Sequence, residues 1–233
     1  MKLQDSRILI TGGSSGLGKE MAALFKQHGA KVLITGRDAE KVMRVAAELG
    51  VYGIAADVAD EADIAKTFTA VQEKLGGLDV LINNAGFGEF APIDAITLDQ
   101  FERVFRTNVF GAALMGREAA KIFKQQKSGN IINISSSAGR KGFANGSVYA
   151  ASKFAVSGLT ECWREELRRY NVRVMQVNPS AVPTAFNVQD RSEKPLVDNM
   201  LTPTEIAHAI KGMLEMADRG FITELSVWAT NPF

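Results

Sequence analysis

Short apolar segments rich in β-branched residues alternate with amphipathic segments along most of this chain. An apolar strand without polar alternation must be covered on both faces, and a helix between two such strands lets them pair in parallel. Because parallel crossovers are right-handed, this order predicts a doubly wound α/β domain with about seven parallel strands and helices on both faces. The predicted strands cover residues 7–11, 31–35, 51–56, 78–82, 130–135, 172–177 and 220–227. The predicted helices cover residues 16–28, 39–49, 61–75, 98–124, 148–170 and 204–217.

The chain length of 233 residues predicts a single domain, residues 1–233, because this length is short for two. We find no repeat, low-complexity tract or linker that would divide it. Residues 185–201 break the periodic pattern and contain Pro195 with several polar residues. This segment is therefore predicted to be a short substrate loop or lid.

Charge and composition argue against several kinds of partner. The 27 basic and 26 acidic side chains leave a net charge of +1, too weak a field to hold nucleic acid or an acidic membrane. No apolar stretch reaches the roughly 18–20 residues of a membrane span, and the N-terminus shows no secretory signal pattern. The single cysteine, Cys162, and two separated histidines predict no internal disulfide and no metal site. We expect a cytoplasmic, soluble protein in which Cys162 is a small buried hydrophobe.

A glycine-rich loop, TGGSSGLG at residues 11–18, joins the first predicted strand to the first helix. Glycine removes the Cβ that would keep a pyrophosphate away from the backbone, and the N–H groups and dipole of a helix N-terminus attract phosphates. The spacing is G-x-x-x-G-x-G rather than the commoner G-x-G-x-x-G, and a glycine turn without a ligand is the alternative. Its place at the first strand–helix turn favours a dinucleotide. The residues predicted to contact it are Gly12, Ser14, Ser15, Gly16, Leu17 and Gly18.

The end of the second predicted strand, Thr35-Gly36-Arg37, suggests which nicotinamide cofactor binds. An acidic side chain there would accept the ribose 2′-hydroxyl of NAD, whereas arginine pairs with the 2′-phosphate of NADP. No carboxylate occupies the tip, and Arg37 offers a bidentate fork, to which Ser14 could add a hydroxyl. The alternative is that Arg37 is a solvated loop charge. We therefore expect NADP, with NAD less favoured.

Tyr149 and Lys153 lie four residues apart on a predicted helix, so they share one face. A free tyrosine has a pKa of about 10, and a nearby ammonium favours the phenolate and lowers that value. Such a pair suits general acid/base chemistry near neutral pH. The pair alone also occurs by chance, so its position has to support it.

That support comes from the predicted carboxyl ends of the strands, where open parallel sheets bind ligands. The serines at 135–137 end the fifth strand, and a hydroxyl there can hydrogen-bond a substrate carbonyl. The segment NNAG at 83–86 ends the fourth strand. Together with the glycine loop and the Tyr149–Lys153 pair, these motifs are predicted to meet at one rim of the sheet.

At this point the sequence resembles the short-chain dehydrogenase/reductase family. The resemblance rests on TGGSSGLG, ADV at 56–58, NNAG, Asn108 within RTNVFG, NISSSAG, YAASK and NPSAVPT, in the family's order from Thr11 to Thr184. It implies a Rossmann-type fold and an oxidoreductase that moves a hydride between nicotinamide and a carbonyl or alcohol. One departure is Pro179-Ser180, where the family usually has Pro-Gly.

The resemblance also implies residue roles. Tyr149 would exchange the proton of the substrate oxygen, and Lys153 would lower the Tyr149 pKa and hold the nicotinamide ribose. Ser136 would bind the substrate oxygen, with Ser135 and Ser137 as other choices, and Asn108 would support a proton-relay water. The remaining cofactor contacts implied are Asp57 and Val58 at the adenine, Asn84, Ala85 and Gly86 along the cleft, and Pro179, Val182 and Thr184 near the carboxamide.

Three functions remain open from the sequence. The first is an NADP-dependent reductase of a ketone, an aldehyde or a 3-oxoacyl-type substrate. The second is a sensor or regulatory protein that retains the cofactor site, and the third is a sugar-nucleotide epimerase, which would normally need a larger C-terminal region.

The helices at 98–124 and 148–170 are candidate faces of a homodimer or homotetramer. Four aromatic residues in loops over the rim could line a substrate pocket or pack in the core: Phe87, Phe90, Phe143 and Phe186.

Overall fold

Seven strands form one parallel sheet in the computed structural model, which describes residues 1–184, 186, 195 and 197–231. The strand order is β3-β2-β1-β4-β5-β6-β7, and every pairing between neighbours is parallel. The strands are β1 (Arg7–Ile10), β2 (Lys31–Gly36), β3 (Tyr52–Ala55), β4 (Val80–Asn83), β5 (Gly129–Ile134), β6 (Val172–Pro179) and β7 (Glu224–Val227). The doubly wound parallel sheet predicted from the sequence is thereby confirmed.

The α-helices begin where short polar side chains can cap them. Asp38 accepts a hydrogen bond from Lys41 N at the start of the second helix, and Thr97 and Thr202 form capping boxes with Gln100 and Glu205. The helices are α1 (Gly16–Gln27), α2 (Ala39–Leu49), α3 (Glu61–Ala70), α4 (Leu98–Phe105), α5 (Ala112–Gln126), α6 (Ser147–Leu167) and α7 (Pro203–Glu215).

Two apolar layers cover the two faces of the sheet, which explains the continuous apolar character of the strands. In β1, Ile8 and Ile10 point to one layer, shared with α1, α2 and α7, while Leu9 points to the other, which includes Phe123 of α5. All three β1 side chains are fully buried. Because both faces are covered, functional side chains are confined to the ends of the strands and the loops beyond them.

Some predicted elements are divided or shorter in the structure. The helix predicted over 98–124 consists of α4 and α5 joined by a π-helical turn, Arg106–Gly111. A second π-helical turn, Val71–Leu75, continues α3, and a 3₁₀ turn, Arg168–Tyr170, follows α6. Hydrophobic periodicity identifies a helix but does not show whether one of its turns is wider or tighter than an α-helical turn. The π-helical and 3₁₀ turns were therefore not predicted from the sequence. The last strand is only four residues long because pairing with β6 begins at Glu224.

Of the predicted lid at 185–201, only Phe186, Pro195 and 197–201 are described, and the remainder lies outside the described residues.

Within the described part of the chain, no helix is long and apolar enough to cross a bilayer. In the same residues, His, Cys, Asp and Glu form no group of three or more that could hold a metal ion. Cys162 is exposed, so its predicted burial is wrong: it lies on α6 away from the buried face of Tyr149, Val156 and Thr160.

Candidate active site

The sheet order creates a crevice between β1 and β4. After β1 the chain moves outward to β2 and β3, and then returns to pair β4 on the other side of β1. The loops that leave these two strands diverge at their carboxyl ends, which is where open α/β sheets bind ligands. The glycine loop at 11–18 follows β1, and NNAG at 83–86 contains the end of β4. The two motifs are therefore neighbours.

The backbone of the glycine loop requires glycine at three positions. Gly12 and Gly16 have φ values of +64° and +51°, a region that favours residues without a Cβ. A Cβ on Gly18 would overlap Gly12 O and lie 2.7 Å from Asn84 Nδ2. The amide of Asn84 donates to Thr11 O at 2.9 Å and to Gly12 O at 3.1 Å, so NNAG holds the loop from the other side of the crevice.

The first turn of α1 keeps its N–H groups available to a ligand. Ser15 is the N-cap residue but makes no side-chain capping hydrogen bond, and the first turn carries no acidic residue. A helix N-terminus of this kind attracts an anion through its free N–H groups and its dipole. The start of α1 is thus chemically suited to the pyrophosphate of a dinucleotide, and the contacts of Ser15, Gly16 and Leu17 with it remain predictions.

At the end of β2, Arg37 is exposed and has no ion-pair partner among the residues described. Ser14 lies beside this strand end, because a Cβ on Gly36 would be 3.0 Å from its Oγ. The carboxylate of Asp38 accepts from Lys41 N at 3.0 Å and caps α2. The structure therefore brings Arg37 and Ser14 to the same edge of the glycine loop.

The turn after β3 is held by its own side chains. Asp57 N donates to Asp63 Oδ2, while Asp57 Oδ1 accepts from Ala59 N, both at 2.9 Å. Val58 is buried and packs against the backbone at Gly111, where an added Cβ would lie 2.7 Å from its Cγ2. These two predicted adenine-contacting residues are fixed at the carboxyl end of β3.

Tyr149 lies on the inner face of α6, and the Ser136 side chain is close enough to its hydroxyl to lower the pKa of the phenol. Ser136 follows β5, and its Oγ also accepts from Ala138 N at 3.1 Å. Ser135 instead donates to Lys153 O within the interior, so of these two serines it is Ser136 that reaches the phenol. Burial raises the pKa of Tyr149 to about 12, and the Ser136 hydrogen bond acts in the opposite direction.

Lys153 is buried one turn after Tyr149. Its Nζ donates to Ile134 O at 2.8 Å and lies 5.8 Å from the centre of the Tyr149 ring. Burial lowers the pKa of Lys153 to about 8. The expected lowering of the Tyr149 pKa does not occur in this structure, because desolvation of the phenol dominates and the ammonium is directed at a backbone carbonyl.

Asn108 is buried in the π-helical turn between α4 and α5. Its Oδ1 accepts from Phe87 N at 3.0 Å, and its Nδ2 donates to Phe87 O at 2.8 Å and to Ser152 Oγ at 3.0 Å. A Cβ on Gly86 would lie 3.0 Å from Asn108 Oδ1 and 3.6 Å from Lys153 Nζ. Asn108 and Lys153 are therefore both immediate neighbours of Gly86.

The segment after β6 returns to the glycine loop. A Cβ on Gly16 would lie 3.2 Å from Thr184 Cβ, so the end of this segment closes over the start of α1. Val182 packs on the core layer that contains α1. Ser180, which replaces the family glycine, donates its N–H to Val227 O at 2.9 Å. Pro179, at the end of β6, pairs with Val227.

Two features of the site were missed by the sequence reasoning. Thr11 Oγ1 accepts from both Asn84 N and Ala85 N at 3.0 Å, which joins the ends of β1 and β4. The threonine hydroxyl immediately after β1 was the sequence feature from which this contact could have been predicted. The second feature is a direct contact of Tyr149 with the rings of Phe90 and Phe186.

Comparisons with known proteins agree with this geometry. A family model described as short chain dehydrogenase matches residues 6–195. An uncharacterized oxidoreductase of Staphylococcus aureus strain USA300 is 30% identical over 232 residues, which cover 97% of each chain. Two solved structures are also similar. One is a 3-ketoacyl-(acyl-carrier-protein) reductase from Brucella melitensis complexed with NADH, at 29% identity and a TM-score of 0.89 over 99% of this chain and 100% of that one.

The other is a metagenomic short-chain oxidoreductase in complex with NADP, at 32% identity and a TM-score of 0.84 over 97% of this chain and 98% of that one. The family model spans most of the chain, and the relative covers nearly all of it. The protein therefore belongs to the short-chain dehydrogenase/reductase family of NAD(P)-dependent oxidoreductases.

Proposed function

We propose that the protein is an NADP(H)-dependent oxidoreductase that interconverts a carbonyl compound and its alcohol, with Tyr149 as the acid/base. The observation that carries this proposal is the placement of the Ser136 side chain close enough to the Tyr149 hydroxyl to lower its pKa, together with the buried Lys153 one turn later. These three side chains lie at the carboxyl rim of the sheet, where the crevice between β1 and β4 opens.

The nicotinamide, when bound, supplies the hydride to the substrate carbon or accepts it from that carbon. Because its pKa is about 12, Tyr149 is protonated at neutral pH and donates its proton to the carbonyl oxygen during reduction. Ser136 binds the same oxygen and keeps the phenol oriented. Asn108, next to Lys153, supports the water through which the proton of Tyr149 is replaced.

The cofactor would be held by the residues that line the crevice. Backbone N–H groups at the start of α1 bind the pyrophosphate, and the remaining contacts come from the loops after β3, β4 and β6. The lining residues are Gly12, Ser14, Ser15, Gly16, Leu17, Gly18, Asp57, Val58, Asn84, Ala85, Gly86, Pro179, Val182 and Thr184. Lys153 holds the nicotinamide ribose.

NADP is preferred to NAD because of the charges at the end of β2. Arg37 is exposed there without an ion-pair partner among the described residues, and Ser14 adds a hydroxyl beside it. The carboxylate nearest in sequence, Asp38, follows the strand tip and caps α2 through one of its oxygens. The two similar structures contain NADH and NADP, so the preference rests on this chain's own residues.

A homodimer or homotetramer is part of this proposal. Phe110 in the π-helical turn and Phe154 on α6 are 56% and 48% exposed, and α5 and α6 pack against each other. Large exposed aromatic side chains on adjacent helices are typical of an interface. We infer that a second copy of the chain covers this face.

Replacement of Tyr149 by phenylalanine tests the proposed chemistry. With NADPH and a panel of ketones and aldehydes, Tyr149→Phe should lower kcat at least about 100-fold, because the proton donor is removed. The NADPH Kd from isothermal titration should change less than about twofold, since the ring remains. Tyr170→Phe removes a hydroxyl in the 3₁₀ turn after α6 and should retain wild-type kcat. Retained turnover in Tyr149→Phe would contradict the proposal, and a wild-type protein that binds NADPH but reduces no carbonyl compound would be a sensor instead.

A further inference from the structure

Four aromatic rings form a continuous row at the catalytic rim. Phe143 contacts Phe90 with ring centres 5.9 Å apart, Phe90 contacts Tyr149 at 5.7 Å, and Tyr149 contacts Phe186 at 5.4 Å. Phe90 and Phe143 nevertheless remain 42% and 48% exposed. The two rings therefore form a partly exposed aromatic surface that continues from the ring of Tyr149.

Two glycines leave room for this row of rings. A Cβ on Gly88 would lie 2.8 Å from Phe90 Cζ and 3.1 Å from Tyr149 Cδ2. A Cβ on Gly146 would lie 2.5–2.7 Å from three atoms of the Phe143 ring. The backbone at both positions is therefore in direct contact with a ring, and any larger residue would displace it.

The loops that carry Phe90 and Phe143 are fixed in the structure. Ala91 N donates to Asn145 O at 3.0 Å, which joins one loop to the other. The backbone of Phe87 makes two hydrogen bonds with Asn108. The exposed rings are thus presented on a rigid surface rather than on free loops, and a rigid aromatic surface binds apolar groups at low entropic cost.

Charged side chains of the same loops are mostly engaged elsewhere. Glu89 forms a bidentate ion pair with Arg103, and Arg140 pairs with Glu224 of β7. Lys141 is exposed, and it is the cation of these loops that an acidic substrate could use. Among the described residues of these two loops, the side chains that contact Tyr149 or extend from it are the aromatic rings of Phe90 and Phe143, and Lys141 is an exposed cation near Phe143 in the chain.

We propose that Phe90 and Phe143 bind a neutral apolar substituent of phenyl or cyclohexyl size on the substrate carbonyl, and that Phe143 determines this specificity. The inference rests on the proposed function, because it names the substrate class for the same Tyr149. The substrate class is a bulky apolar ketone or its alcohol rather than a small or anionic carbonyl compound.

Three methyl ketones test the proposal, because they share the reacting group and differ in the other substituent. They are cyclohexyl methyl ketone, 2-butanone and 4-oxopentanoate, which carries a carboxylate. For the wild-type protein with NADPH, kcat/KM for cyclohexyl methyl ketone should exceed that for 2-butanone at least about tenfold, and 4-oxopentanoate should be the poorest. A preference for 4-oxopentanoate would overturn the proposal and assign recognition to Lys141.

Variants of Phe143 measure how much this ring contributes to the preference for the cyclohexyl ketone. In Phe143→Ala the ratio of kcat/KM between the cyclohexyl and ethyl ketones should fall about tenfold, whereas Phe143→Tyr, which keeps the ring, should retain it. Tyr52→Ala is the matched control, because Tyr52 is a similarly exposed aromatic residue, at 45%, on the edge strand β3. An unchanged ratio in Phe143→Ala would refute the proposal while leaving the proposed reductase activity intact.

A binding measurement separates this inference from the proposed function. Saturation-transfer NMR with cyclohexyl methyl ketone in the presence of NADP⁺ requires no turnover, since the oxidised cofactor cannot reduce the ketone. The ketone signal should be strong with wild-type protein and with Tyr52→Ala, and at least severalfold weaker with Phe143→Ala. Absence of turnover together with this binding pattern would reject the oxidoreductase proposal alone. Equal signals for Phe143→Ala and wild type would reject the aromatic site.

Discussion

Burial shifts the pKa values of two neighbouring side chains on α6 in opposite directions. Tyr149 rises to about 12 and Lys153 falls to about 8, because each charged form, phenolate or ammonium, loses its water in the interior. Both neutral forms are favoured by the fold. Tyr149 therefore holds its proton at neutral pH, and its raised pKa makes the phenol a weaker acid in the free protein than in water.

The shift at Lys153 predicts a pH-dependent contribution to stability. A pKa lowered from 10.5 to about 8 means that the unfolded chain binds more protons between these values, so stability rises with pH there. Relative to Lys153→Met, the free energy of unfolding of the wild-type protein should rise by about 3 kcal/mol from pH 8 to pH 10.5. The cost of the buried ammonium is fully present below about pH 8. Urea denaturation at several pH values measures this difference.

An exposed lysine provides the control for that experiment. Lys26→Met on α1 removes an exposed ammonium and shows what the loss of a surface lysine does to stability. A difference between wild type and Lys153→Met that stays constant from pH 8 to pH 10.5 would contradict the lowered pKa of Lys153.

The predicted preference for NADP over NAD depends on Arg37. Loss of a charged hydrogen-bonding partner for the 2′-phosphate should weaken NADPH binding to Arg37→Ala about 10- to 100-fold and leave NADH within about twofold. Isothermal titration with both cofactors measures this. Arg44→Ala, which removes an equal charge from the exposed side of α2, should change neither Kd appreciably. Equal losses for NADPH and NADH in Arg37→Ala would favour the solvated-charge alternative.

At the scale of elements, the turn between β1 and α1 depends on how closely two backbone segments approach. Gly18 on α1 lies against Gly12 O, so Gly18→Ala places a methyl group in contact with backbone that cannot move aside. This variant should lose about 1–3 kcal/mol of unfolding free energy and bind NADPH more weakly. Thermal and urea denaturation, followed by titration with NADPH, measure both effects.

A glycine in open space provides the matched control for Gly18. Gly212 lies within α7, and a Cβ there would meet no atom within 4 Å. Gly212→Ala should therefore stabilise the protein by up to about 1 kcal/mol through helix propensity and leave NADPH binding unchanged. A Gly18→Ala protein as stable as Gly212→Ala would show that the loop relaxes without cost.

The π-helical turn shows a limit of element prediction. The apolar pattern of 98–124 is helical throughout, and the structure is helical throughout, but residues 106–111 form a wider turn. That turn contains Asn108, whose amide reaches Phe87 and Ser152 on two other segments. Such turns often occur at functional sites, and their register follows from contacts that a local pattern does not contain.

At the scale of the whole molecule, the exposed aromatic face of Phe110 and Phe154 predicts self-association. Light scattering should give a mass two or four times the chain mass of 25.2 kDa. The double variant Phe110→Glu/Phe154→Glu should give the monomer mass, because charges at a buried apolar contact are costly. Tyr52→Glu on the edge strand should keep the wild-type mass. A monomeric wild-type protein would contradict the proposed interface.

The sequence by itself determined the sheet, its parallel direction and the rim at which the motifs meet. Continuous apolar strands must be buried on both faces, glycines mark close backbone approach, and parallel strands bring their carboxyl ends together. Tyr149, Lys153 and Arg37 could therefore be singled out from spacing and position, whereas the choice of Ser136 among the serines at 135–137 came from the resemblance to the family.

The tertiary structure decided what surrounds each of those side chains. The pKa of Tyr149 rises because distant segments exclude water from it, and Lys153 is directed at Ile134 O rather than at the phenol. The row of rings through Phe90 and Phe143 exists because two loops, about 50 residues apart in the chain, are joined by one hydrogen bond from Ala91 to Asn145. Burial, desolvation and ring contact depend on residues far apart in sequence, so no local pattern contains them.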